Sequence, residues 1–217
     1  MTPLISFAIT THNEGQYVRD LLDQLIPYCQ QTGDEIVILD DYSTDELTKD
    51  ILISTLAKAA QEGSNLRFKI GYRHLDGNFA AHKNYLNEMC NGKYIFQVDA
   101  DEKFNTNLLT YIHDIIDNND IDLYLIPRVN IVNGLTEEDI RRWGWRINEN
   151  GWVMFPDYQT RLYKNIPEIK WEGQVHERIV GYKTTAPLPD EETWCLYHIK
   201  EIERQRKQND YYATITR

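Results

Sequence analysis

The sequence predicts an α/β fold, a mostly parallel sheet flanked by helices in one domain covering 1–217. Three observations carry that expectation. Short apolar runs alternate with amphipathic stretches through the first half, and polar residues gather directly after three of those runs. At 217 residues, with 41% hydrophobic and 12% aromatic side chains, the chain is also long and apolar enough to close a full core.

Residues 4–9, Leu-Ile-Ser-Phe-Ala-Ile, read as the first strand. A helix follows over 17–28, with Val18, Leu21, Leu22, Leu25 and Ile26 on one side. A second strand (35–39) and helix (47–60), a third strand (66–70) and helix (79–89), and a fourth strand (94–98) complete the alternation. The first, second and fourth strands are apolar throughout, as strands covered on both faces must be. Beyond them the alternation fades. Residues 122–131 read as a strand, and 133–157, rich in Gly, Asn and aromatics, as one long loop of the kind that forms lids or binding segments. Short strands are expected over 159–163 and 168–176, then a charged closing helix over 199–215.

Lys and Arg number 23 against 34 Asp and Glu, a net charge of −11. Such an acidic surface argues against nucleic acid or an anionic membrane as the main partner. A phosphate ligand would need local compensation. Cys29, Cys90 and Cys195 are odd in number and in no metal-ligand spacing, which suits a reducing compartment. No basic leader opens the sequence, and no window approaches the roughly 18 apolar residues of a membrane span. The expectation is a cytoplasmic protein without a transmembrane segment.

In an α/β sheet the ligand lies beyond the carboxyl ends of the strands. Three loops there are polar: Thr10-Thr11-His12-Asn13-Glu14, Asp40-Asp41-Tyr42-Ser43-Thr44-Asp45 and Asp99-Ala100-Asp101-Glu102. Asp99 and Asp101 leave one strand end together, where their repulsion is relieved by a divalent cation such as Mg²⁺ or Mn²⁺. The same three letters also make plain acidic turns. In the second loop Ser43, Thr44 or Asp45 can cap the next helix, which leaves the two preceding aspartates unexplained. They can accept hydrogen bonds from a ring N–H or from sugar hydroxyls.

Taken in order, these segments resemble family-two glycosyltransferases of the GT-A fold. The strand, Thr-x-Asn-Glu turn and helix over 5–17 resemble that family's opening, and 40–45 resembles its Asp-Asp-x-Ser-Thr-Asp segment. The stretch from Gly77-Asn78-Phe79 through His82-Lys83-Asn84 and Gly92-Lys93-Tyr94 to Asp99-Ala100-Asp101-Glu102 resembles its third signature. The resemblance implies an inverting transfer of a sugar from a nucleoside diphosphate sugar, UDP above all, to a hydroxyl of a glycan or glycoconjugate. It implies that residues 1–103 hold the donor, through Thr10, Thr11, Asn13, Glu14, Asp41 on a uracil ring, Lys83 near the phosphates and Asp99 near the ribose. Asp101 would hold the metal. Lys83 stands where the family often has Arg, and Tyr42 where it often has Gly.

In the second half Arg161-Leu162-Tyr163, Trp171-Glu172-Gly173-Gln174-Val175-His176-Glu177 and the later His198 resemble a bacterial subgroup that decorates lipopolysaccharide cores and similar glycans. By that resemblance 104–217 binds the acceptor and supplies the base, Glu177, with Glu172 and Asp157 as lesser candidates. A salt bridge of Glu177 with Arg178 or Lys183 is the plain alternative. Strand alternation places Val175 and Glu177 on one face, opposite His176. His198 follows a short apolar run and is expected at a strand end, as a further metal ligand; His176 could exchange roles with it. Trp143, Trp145, Trp152, Phe155 and Tyr158 crowd the long loop, where aromatic faces suit a sugar acceptor and equally bury the loop against the sheet. Two other classes fit less of the sequence. A silent nucleotide-sugar-binding module would keep the site without turnover, and a sugar nucleotidyltransferase would need a Gly-rich basic loop after the first strand, where only Gly15 stands.

Overall fold

β1 (Ile5–Thr11) is paired on both sides in parallel, with β2 (Glu35–Asp40) and β4 (Tyr94–Asp99). The computed structural model describes residues 2–174 and 176–207. Among these, a nine-stranded sheet runs in the order β3 (Arg67–Tyr72), β2, β1, β4, β7 (Val153–Lys164), β6 (Leu123–Asn133), β11 (Leu196–Glu201), β5 (Glu102–Phe104), with β10 (Thr185–Pro187) also on β6. β7 runs antiparallel to both β4 and β6, and β5 antiparallel to β11. The sheet is therefore mixed, with the parallel pairs concentrated in the first half.

Side-chain alternation divides the core. Ile5, Phe7 and Ile9 with Ile36, Ile38, Phe96 and Val98 face α1 (Gln16–Thr32), α2 (Glu46–Ala59) and α4 (Thr106–Asp117). Ala8, Val37, Leu39 and Ile95 face the other way, toward α3 (Phe79–Met89) and a small hairpin of β8 (Lys170–Glu172) and β9 (Arg178–Val180). Each fully buried Ile, Leu or Phe contributes about 1.5–3 kcal/mol. That is why strands without a polar face hold the centre. α1 buries Val18, Leu21, Leu22, Leu25 and Cys29 and runs through Pro27 to a left-handed cap at Gly33, four residues past the expected end. Gly92 precedes β4 because a Cβ there would lie 2.5 Å from the Ser6 nitrogen.

The later chain departs from expectation in several places. The long loop contains α5 (Glu137–Trp143), opened by a reciprocal capping box between Thr136 and Asp139 and closed by Gly144 in the left-handed region. The strand expected over 159–163 is the end of the twelve-residue β7. The one expected over 168–176 is broken, because Gly173 (φ 101) and His176 (φ 56) leave the extended region between β8 and β9. The face-by-face alternation drawn through that stretch does not apply, and Val175 lies outside the described residues. β11 continues to Glu201 and the chain turns helical only over 202–207; the rest of the expected closing helix lies outside the described residues. His198 is consequently inside a strand and not at its end. Among the described residues no helix is long and apolar enough to cross a membrane.

Candidate active site

The carboxyl ends of β1, β2 and β4, the start of α3 and the turn before β9 enclose a cavity of about 850 Å³. Thr10, Thr11, Glu14, Asp41, Lys83, Asp99, Asp101, Glu177 and His198 all line it. Asn13 does not. Its backbone adopts φ 55, and its Oδ1 accepts from the Thr44 and Asp45 amides at 2.7 and 3.0 Å, so it clips the first loop to the second. Asp45 is the residue that caps α2, accepting from the Thr48 amide at 2.8 Å. Asp40 is occupied locally, receiving the amide and hydroxyl of Ser43. Asp41 is the aspartate left for a ligand. Its Oδ1 accepts from the Leu75 amide at 3.1 Å, and His74 and His12 stand 3.5 and 3.9 Å away.

Asp99 and Asp101 point to different partners. Arg161 from β7 donates to Asp99 and, at 2.7 Å, to Glu102. Burial pushes the Asp99 carboxyl up, but Arg161, Lys83 and Arg128 outweigh it and hold the group well below the usual carboxylate range. Asp101 faces β11: its Oδ2 is 3.3 Å from His198 Nε2, 3.2 Å from an Arg204 amino group and 3.9 Å from Lys200. Burial raises this carboxyl too, and His198 and Lys200 bring it below its ordinary value. Glu14 goes the other way. Its desolvation exceeds the pull of Arg204, which donates to it at 2.8 Å, and the carboxyl is raised.

Whether these residues suit a divalent cation can be judged from the donor set. His198 Nδ1 is 2.8 Å from Asn130 Oδ1, an acceptor, so that nitrogen carries a proton, and Nε2 is the nitrogen that faces Asp101 and would be left to ligate a cation. A carboxylate oxygen and an imidazole nitrogen on neighbouring elements fit Mn²⁺ or Mg²⁺ when substrate oxygens complete the shell. Among the described residues no group of three or more His, Cys, Asp or Glu forms a cage for a metal by itself.

The three base candidates separate by location. Glu172 is half exposed, pairs with Lys170 at 3.3 Å and does not line the cavity. Asp157 does line it but is saturated: Arg128 Nε and Nη2, Asn130 and Gln159 donate to it at 2.7–2.9 Å. Burial raises this carboxyl, yet Arg128, Asn130 and Gln159 leave it below its ordinary value, which weakens it as a base. Glu177 is paired with neither Arg178 nor Lys183. Its partner is Lys83, at 2.7 Å. His176 lines the Glu177 side of the cavity, while His198 stands beside Asp101.

The local compensation that the sequence does not locate comes from β6, β11 and the helical segment 202–207 after it. Arg128, Lys200 and Arg204 line the cavity and Arg161 lies just beneath. Arg128 carried a signal, as a charge between Pro127 and Val129 in an apolar run, where desolvation is tolerated only for a partner; Lys200, between Ile199 and Glu201 in a mixed strand, carried none. Of the aromatics, Trp145 reaches the cavity and packs against Trp143, ring centroids 4.6 Å apart and planes tilted by 46°. Trp152 and Phe155 pack on each other at 4.8 Å, and Tyr158 donates to the Leu188 carbonyl.

A doubly flanked α/β sheet whose central strands end on a cavity lined by charged side chains has its ligand site where such folds place one. The family model for glycosyl transferase family 2 matches residues 6–180, and the chain belongs to that family. Among solved structures, it is similar to S. aureus TarS 1-349, at 20% identity over 90% of this chain and 60% of that one, TM-score 0.61. The same protein in complex with UDP-GlcNAc matches at 20% identity over 90% and 58%, TM-score 0.61. GalNAc-T7 with UDP, GalNAc and Mn²⁺ matches at 13% identity over 91% and 44%, TM-score 0.54. These likenesses show the GT-A fold, and the chain spans about 60% of the length of the TarS structure. No curated protein sequence matches.

Proposed function

We propose that the chain transfers a glycosyl group, with inversion, from a nucleoside diphosphate sugar to a hydroxyl of a glycan or glycoconjugate. The observation that carries this reading is the convergence of Asp41, Asp99, Asp101 and Glu177 on one cavity at the carboxyl ends of β1, β2 and β4. TarS was solved with UDP-GlcNAc and GalNAc-T7 with UDP, and a uridine donor is the corresponding choice here. Asp41 would accept the ring N–H of a uracil, and Asp99, held by Arg161, a ribose hydroxyl. Asp101 and His198 would hold the divalent cation. When bound, it supplies positive charge to a leaving diphosphate.

The residues of the chain do the rest. Lys83, Arg128, Lys200 and Arg204 bring positive charge into a cavity that Glu14, Asp41, Asp99, Asp101, Asp157 and Glu177 also line. Glu177 takes the acceptor proton as the hydroxyl attacks the anomeric carbon, the role a carboxylate within hydrogen-bond reach serves. Trp145 offers the acceptor an aromatic face at the rim. The test is nucleotide release from a panel of nucleotide sugars with Mn²⁺ and a mixed glycan acceptor. Release from a uridine donor is expected, with Glu177→Gln slowing it about a hundredfold or more while donor still binds. Binding without release from any donor would make the chain a silent module. Normal turnover by Glu177→Gln would move the base elsewhere.

A further inference from the structure

Lys83 and Glu177 come from different elements, α3 and the turn before β9, and meet with side chains only 11% and 14% exposed. The ammonium also sits 4.3 Å above the ring of Trp171, whose indole N–H donates to the Tyr163 hydroxyl at 3.0 Å. The hairpin carrying Glu177 is fixed to the same helix. Asn84 exchanges two hydrogen bonds with the Trp171 backbone, and the Gln174 carbonyl accepts from the Phe79 amide at 3.0 Å. This setting puts an ammonium on one oxygen of the carboxylate that would receive the proton.

We propose that Lys83 is a donor-operated latch on Glu177: an incoming diphosphate draws the ammonium away, and Glu177 then takes the acceptor's proton without a neighbouring positive charge opposing it. The inference rests on the reading above and adds an order of events to it. One ammonium has two competing anions. The diphosphate offers several anionic oxygens against the two of one carboxylate, so even beside a divalent cation it competes for the ammonium. Lysine suits this exchange better than arginine, because its compact charge swings on a flexible four-carbon stem whereas a planar guanidinium fork is held by its geometry.

The step balances. The acceptor oxygen bonds to the anomeric carbon, whose bond to the diphosphate oxygen breaks with the electron pair leaving on that oxygen, and the acceptor proton moves to Glu177. When the nucleoside diphosphate departs, Lys83 returns to Glu177 and the proton passes to water.

A double-mutant cycle on UDP binding, measured by calorimetry with Mn²⁺, tests the latch. Glu177→Gln is expected to tighten UDP about tenfold, since the ammonium no longer has to leave a carboxylate. Lys83→Met weakens UDP, and in that background Glu177→Gln changes affinity less than about twofold. Uridine, which has no phosphate, should bind wild type and Glu177→Gln alike. Equal tightening with and without Lys83 would mean simple repulsion between Glu177 and the phosphates and would overturn the latch, as would no tightening at all. Thermal melts confirm folding, and Glu177→Ala supplies a second charge deletion. Absence of UDP binding to all four proteins would remove the donor reading itself, and the latch with it.

Discussion

Glu102 is fully buried and accepts three hydrogen bonds: from Arg128 at 2.9 Å, from Arg161 at 2.7 Å and, through its second oxygen, from the Asp99 amide at 3.1 Å. It therefore ties β6 and β7 to the turn that carries Asp99 and Asp101. Glu102→Gln keeps the shape and removes the charge. If the amide oxygen stays on the guanidiniums, its NH₂ group meets the Asp99 N–H donor to donor. Orphaning that buried donor costs about 1–3 kcal/mol. Two charge-assisted bonds become neutral-acceptor bonds, a loss of about 1 kcal/mol each. Asp99 and Asp157 still pair the two arginines, which keeps the total below that of a fully broken buried pair, at about 3 kcal/mol. Urea unfolding followed by tryptophan fluorescence should show the midpoint falling by about 1 M, taking a slope of about 2–3 kcal/mol/M. A shift under about 0.2 M, or a rise, would mean that relief of carboxylate desolvation offsets the lost bonds, and would refute Glu102 as the anchor of the turn.

Three further outcomes are expected. Asp101→Ala should reduce nucleotide release to background with the fold intact, and wild type in chelator should match it; undiminished release in chelator removes the metal from the scheme. UDP should bind more tightly than GDP or ADP, with Asp41→Ala erasing the preference, and equal calorimetric affinities of wild type for all three would exclude Asp41 from base recognition. At the far end of the sheet, hydrogen bonding by Lys164, aided by the Lys183 and Thr184 amides, holds the Asp122 carboxyl down at about 2, below its ordinary 3.8. A depressed folded-state value stabilises above the unfolded one, so Asp122→Asn should cost about 1–2 kcal/mol at neutral pH. The gap should close as pH falls from about 4 toward 2. A gap that persists at pH 2 in urea titrations counts against this ion pair.

The first half of the fold was legible because its signals are local. Apolar runs such as 36–39 must lie between two layers, and Val18, Leu21, Leu22 and Leu25 mark one face of a helix whatever else the chain does. α4 carried the same kind of pattern in Leu108, Leu109, Ile112 and Ile116 behind an Asn105 cap, and was overlooked because no strand-end motif drew attention to it. α5 was hidden for another reason. Trp143 to Gly151 supply aromatics and glycines that resemble a loop, while the Thr136–Asp139 capping box is a two-residue signal. The aspartates of the site were visible as strand-end clusters. Their partners were not: Arg161 reaches Asp99 across 62 positions and Lys83 reaches Glu177 across 94, and no periodicity connects residues that far apart.

Among the described residues, the hairpin that bears Glu177 makes no ladder with the main sheet. It forms a separate two-stranded ribbon anchored on α3 by Asn84, Lys83 and the Phe79 amide, with Trp171 and Ile179 plugged into the smaller core. Chemistry and scaffold are thereby insulated from each other. Insertions or replacements within 173–177 need satisfy only one helix and one indole pocket, while every backbone bond of the large sheet stays in register. On the proposed reading, a lineage with this arrangement could vary the surroundings of the base by rewriting a short ribbon and leave the strands of the large sheet undisturbed.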